Sequence, residues 1–185
     1  DTIIQHCFGS CEFDGSCGCV VVVAPYYESL DLGQLPNCWS QSVISGDGWQ
    51  FTGSPGYDAS NNGRISGTYA WIDFSGTDQE TVLELVQVDI SSLAVPELTF
   101  DFFSYDGSNG STPPNILYIE ANNGSSWVII DSLQNNTVAG WNQKTFDLTG
   151  YDVSGLVSIR FRGESGGASN DFYNDLLVDN ITIGP

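Results

Sequence analysis

The chain is short of positive charge. Four Lys and Arg stand against 23 Asp and Glu in 185 residues, for a formal net charge of −19, with one His and no Met. Such a surface repels phosphate, which excludes nucleic acid and anionic membranes as natural partners and disfavours sulfated glycans. Catalysts built on a His, Lys or Arg constellation have little to work with, since the one His is His6, near the start of the chain. Long apolar runs are missing as well. The longest, VVVVA at 20–24, is far too short to span a bilayer. No stretch sustains a helical period for three turns, which leaves the chain to be read as β-structure.

Aromatic and apolar residues are plentiful. A hydrophobic content of 41%, with five Trp, eight Tyr and ten Phe, excludes global disorder and predicts a packed core. Short alternating runs, separated by Gly, Asn, Asp, Ser or Pro, predict strands near 38–43, 49–53, 67–74, 81–88, 97–105, 115–121, 126–132, 141–148, 155–163 and 175–183. The alternation is clearest in Leu98, Phe100 and Phe102 and in Val157, Ile159 and Phe161. Many strands with turns between them make an all-β sandwich or barrel.

Residues 1–24 read as a separate Cys-rich leader or linker ahead of a domain over 25–185. Cys7, Cys11, Cys17 and Cys19 crowd into this leader and Cys38 stands alone downstream. A disulfide-tied leader is the ordinary reading, and the spacing matches no common zinc knuckle. Five is odd, so one thiol is free, paired with another chain, or parted from its partner by the end of the sequence. Asp1 and the absence of a signal peptide fit a mature or excised fragment. Cysteines, acidity and dense polar turns together suit an extracellular, secreted or cell-surface protein.

The order of motifs resembles that of MAM domains. YYESLDLGQLPNCWSQ (26–41), then Asp47 and Trp49, then GTYAWIDFSG (67–76) are similar to the opening of that family. LTFDFFSYDG (98–107), NILYIEANNGSSWVIIDS (115–132), GWNQKTFDL (140–148), VSIRFRGESG (157–166) and DLLVDNITIG (175–184) are similar to its later strands. The resemblance covers about 26–184 and implies an antiparallel two-sheet jelly-roll sandwich used in adhesion. It also implies a structural calcium ion between the aromatic-Glu segment and the last strand. Carried over by motif, the ligands are Glu28, Asp47, Asp73, Asp179 and Asn180. Pro25 stands where the family has a Cys, so Cys38 is left to Cys19, another leader cysteine, or none.

The closing stretch DFYNDLLVDNITIGP poses its own question, because Asp171, Asp175 and Asp179 recur every four residues on a strand that must pack. Either they are solvated surface or some of their oxygens face a cation. Catalysis is not expected. With 23 acids some carboxylate pair always looks possible, and the Glu-x-Asp-x-x-Glu spacing of jelly-roll glycosidases is absent.

Two non-catalytic functions remain. One is a calcium-binding adhesion or recognition module of a larger protein with a protein or polysaccharide ligand; the other is a carbohydrate-binding module attached to a secreted polysaccharide-degrading enzyme. Trp71, Trp127 and Trp141 fall at strand positions and read as core. Tyr57, Tyr105, Tyr151 and Tyr173 fall in polar loops and are the candidate ligand contacts, with 54–64 and 105–115 as the binding edge. A coplanar exposed aromatic pair would favour sugar, and a flush aromatic surface a protein contact. Asn109, Asn123, Asn135 and Asn180 each begin a sequon, used only in a eukaryotic source.

Overall fold

The computed structural model describes residues 19–75, 79–105, 107, 110–134 and 139–185. His6, Cys7, Cys11, Cys17, Asn109 and Asn135 lie outside these residues. Among the described residues the strands are β1 (Val22–Val23), β2 (Tyr26–Glu28), β3 (Ser40–Val43), β4 (Ala70–Ile72), β5 (Glu80–Glu84), β6 (Val88–Asp89), β7 (Glu97–Phe103), β8 (Ile116–Asn122), β9 (Trp127–Gln134), β10 (Asn142–Asp147), β11 (Leu156–Val157), β12 (Ile159–Glu164) and β13 (Leu176–Gly184). Two 3-10 turns, Tyr57–Asn61 and Asp171–Tyr173, sit in loops.

The front sheet has the order β10-β7-β13-β2, with β4 also on β13, and the back sheet the order β3-β5-β12-β8-β9. Together they form the antiparallel two-sheet jelly-roll sandwich. β1, β6 and β11 make a small third sheet. Val22 and Val23 pair in parallel with β6 in this third sheet, so the fold takes in residues ahead of residue 25.

The period-two pattern explains the core. Leu98, Phe100 and Phe102 of β7 and Ile159 and Phe161 of β12 are fully buried, and the Phe100 and Phe161 rings meet edge to face at 4.8 Å between the sheets. Burying each such side chain contributes roughly 1.5–3 kcal/mol. At Gly163 of β12 the sheets approach closely, since a Cβ there would overlap Cδ1 of Ile72. The strand predicted at 49–53 does not form. Gln50 makes only an isolated bridge to Trp71 while Trp49 and Phe51 turn into the core, in a segment bent at Gly46, Gly48 and Gly53, all at positive φ.

A second cluster lies outside the front sheet. Trp71, Phe103 and Leu177 have the parity opposite to the inner residues of β4, β7 and β13, and they pack with Ala59 and Tyr69 of the 53–69 loop and with Tyr105 and Trp141. Trp71 Nε1 donates to Thr52 O (3.1 Å) and Trp141 Nε1 to Asn62 O (3.0 Å), fixing the loop over the sheet. The front sheet is therefore roofed on its outer side.

Candidate functional site

The tyrosines expected to contact a ligand divide two and two. Tyr57 and Tyr173 come together with Phe172 where the two 3-10 turns meet, at centroid separations of 4.8 Å (Tyr57–Tyr173), 4.9 Å (Tyr57–Phe172) and 4.4 Å (Phe172–Tyr173). Tyr57 is 54% exposed. The rings are inclined at 44–69°, so they make a knuckle and not a flat platform. Tyr105 and Tyr151 do not join them: Tyr105 packs into the second cluster and Tyr151 against the main core, where aromatic area is worth more buried than wet.

A buried polar network holds the knuckle. Asn115 Nδ2 donates to the carbonyls of Asp171 (2.9 Å) and Asn174 (2.8 Å), its Oδ1 accepts from Gly166 N (3.0 Å), and Asn174 Nδ2 donates to Ser104 Oγ (2.7 Å). Asp171 accepts from Ser165 Oγ at 2.7 Å. Asp175 is 1% exposed and accepts from the Phe74 N–H at 3.3 Å and from the Gly56 N–H. Burial, with the Asp73 charge nearby, pushes its carboxyl up to about 8.

The residues expected to share a calcium ion are not brought to one point. Glu28, opposite Ile181, accepts from Leu30 N at 2.9 Å. Asp47 lies in the exposed turn before Trp49, where its carbonyl accepts from Gln50 Nε2. Asp73 accepts from Ser75 N at 2.6 Å, beside Asp175. Asp179 pairs with Arg64, and Asn180 accepts from the Tyr27 hydroxyl at 2.7 Å. Among the described residues no three His, Cys, Asp or Glu side chains assemble as a metal-binding group. This donor set does not fit a single shared ion, because register and turn geometry give the carboxylates of Glu28, Asp73 and Asp179 separate partners. Cys19 and Cys38 are not joined by a disulfide, and Cys38 packs half-buried against the core.

The outer face of the back sheet holds what the sequence reading missed. Pairing sets Ser40, Glu84, Arg160, Glu120 and Ile129 in one row across β3-β5-β12-β8-β9, and Ser42, Val82, Arg162, Tyr118 and Ser132 in the next. Trp127 stands opposite Asn122, on the far side of the first row. Glu120, only 4% exposed, accepts from Arg160 Nε (2.5 Å) through one oxygen and from Arg162 Nε (3.1 Å) through the other. Arg162 also pairs with Glu164 at 2.6 Å. The Arg160 guanidinium lies 4.4 Å from the Trp127 ring centroid, and that of Arg162 lies 4.0 Å from the Tyr118 centroid. Burial raises the Glu84 carboxyl above its ordinary range, with Arg160 pulling the other way.

Trp127 was read as core from its strand position and the usual burial of large aromatics; its pairing opposite Asn122 places it on the outer face. The available signal was the outward parity of Arg160 and Arg162, which on an acidic chain calls for acidic and aromatic partners across the strands. Tyr118 and Trp127 are about 13 Å apart along the strands, four residues at strand rise.

No family model matches the chain, and no curated protein matches it. Solved structures with a similar course include TmCBM61 in complex with β-1,4-galactotriose (11% identity, 78% of this chain and 86% of that one, TM-score 0.49). The family 11 carbohydrate-binding module of the cellulosomal cellulase Lic26A-Cel5E of Clostridium thermocellum is similar at 18% identity, 87% and 95% coverage and a TM-score of 0.46. The Stig cyclase Fisc from Fischerella sp. TAU is similar at 16% identity, 86% and 89% coverage and a TM-score of 0.42.

Proposed function

We propose that this chain is a non-catalytic carbohydrate-binding module of an extracellular multidomain protein, and that it holds a neutral polysaccharide along the outer face of the back sheet. The observation that carries this reading is the face itself. Two aromatic rings flank a stripe of planar guanidinium and carboxylate groups, on the sandwich face that the 53–69 loop leaves uncovered. Sugar rings offer C–H faces to aromatics and hydroxyls to such planar groups. Stacking of each ring on an arginine held by Glu120 fixes the contacts in advance and lowers the ordering cost of binding.

Charge narrows the ligand. Glu80, Glu84, Glu120 and Glu164 outnumber Arg160 and Arg162 on this face, and Glu120 and Glu164 already engage both guanidinium groups. An acidic glycan would meet repulsion. The same pairing argues against catalysis, because Glu120 has both oxygens occupied and Asp175 is sealed from solvent.

Affinity-gel retardation across neutral and acidic polysaccharides, run with calcium and with EDTA, tests the reading. We expect retardation by a neutral polysaccharide that persists in EDTA. Absence of retardation by every glycan, with the protein folded, would reject the reading in favour of the adhesion role that the MAM resemblance implies.

A further inference from the structure

The front sheet sets two carboxylates directly opposite each other: Asp101 on β7 and Asp179 on β13 are register partners on the outer face. Like charges at opposed positions destabilise a strand pair. Side-chain exposures of 18% and 6% leave little water to screen them. The ladder is irregular here, shifting between Asp179 and Thr182, with Asn180 at φ 50°. The kink lets Asn180 Nδ2 donate to Asp101 Oδ2 (3.0 Å) while its Oδ1 accepts from the Tyr27 hydroxyl (2.7 Å) on β2. Side chains of β2, β7 and β13 thus meet at one acidic joint. Oxygen donors in such a set would suit a hard divalent cation.

The joint is filled by the protein. Arg64, from the 53–69 loop, gives Nη2 to Asp101 at 2.6 Å and Nη1 to Asp179, and its guanidinium lies 3.8 Å from the Trp141 ring centroid. Its backbone is aimed from both sides of Asn62: Arg64 N donates to Asn62 Oδ1 (2.8 Å), and Trp141 Nε1 donates to Asn62 O (3.0 Å). We infer that Arg64 is the built-in cation of this joint and that the chain closes its front sheet without a divalent ion. A guanidinium is always charged and reaches two carboxylates at once, and no chelator removes it. The loop that carries it also roofs the second hydrophobic cluster, so neutralising the joint and covering that face are one event. This inference is independent of what the back sheet binds.

Thermal unfolding of the chain, with excess EDTA or with millimolar CaCl2, tests it alongside Arg64→Gln, Arg64→Lys and the double variant Arg64→Gln/Asp101→Asn. The unaltered chain is expected to melt at the same temperature in both buffers. Arg64→Gln is expected to melt several degrees lower in EDTA, and to recover with calcium or with the added Asp101→Asn, since either relieves the facing carboxylates. Arg64→Lys, which keeps the charge and loses the fork, is expected to fall between and to provide the reading if Arg64→Gln does not fold. A fall in the melting temperature of the unaltered chain in EDTA would overturn the inference. So would an Arg64→Gln variant as stable as the parent in EDTA, or one that neither calcium nor Asp101→Asn restores.

Discussion

Asp175 shows how little the identity of a residue says about its state. It has the same side chain as Asp171 and Asp179, four residues to either side, yet the three meet different surroundings. Asp171 accepts from a serine hydroxyl, Asp179 pairs with an arginine, and Asp175 is buried with Oδ2 lacking a hydrogen-bond partner among the described residues. An unfolded Asp releases its proton near 3.8, while in the fold burial and the Asp73 charge hold it to about 8. Between these values the folded state binds more protons than the unfolded one, so this group's contribution to stability is complete below pH 4 and is lost as pH rises through about 8. The prediction is a crossover. Compared with Asp175→Asn by urea unfolding, the parent should lose ground steadily from pH 4.5 to pH 8. A stability difference independent of pH would show that Asp175 does not titrate in this way.

At the scale of the element, the back sheet shows what alternation determines and what it leaves open. Inward Ile159 and Phe161 were legible as strand core because β-strands present every second residue to one face. The contacts of their outward neighbours were left open, since nothing local tells which strands become neighbours. Pairing β12 with β8 is what puts Glu120 beside Arg160 and sets Tyr118 under Arg162. Trp127→Ala and Tyr118→Ala should each weaken retention by a neutral polysaccharide at least about tenfold, equal to about 1.4 kcal/mol of binding. Tyr57→Ala at the knuckle should leave retention unchanged. The reverse pattern, measured on the same gels, would move the ligand to the loops.

For the whole molecule, the net charge of −19 sets the company the protein keeps. Binding by stacking and neutral hydrogen bonds releases no counterions, so retention by a neutral polysaccharide should change little between low and physiological salt. Heparin and DNA columns should not hold the protein at either ionic strength. Salt-sensitive capture by a polyanion would mean that the charges of Arg160 and Arg162 are not neutralised by Glu120 and Glu164, against the pairing seen.

The sequence by itself determined the class of fold and argued against polyanionic partners. Period-two alternation has one physical meaning, a strand with one face buried, and an excess of carboxylates repels polyanions in any fold. The candidate site was not legible: Trp127 was taken for core and Tyr118 was not singled out, while the loop aromatics that were singled out, Tyr57 and Tyr173, meet at the knuckle. The tertiary structure decided the rest. Which cation each carboxylate meets depends on strand register and on a loop arriving from far along the chain. Arg64 reaches Asp179 across 115 residues, a contact that no local pattern encodes. Register also set Asp179 opposite Asp101, and the fold gave that pair a guanidinium, because opposed like charges on neighbouring strands are relieved by a positive group brought between them.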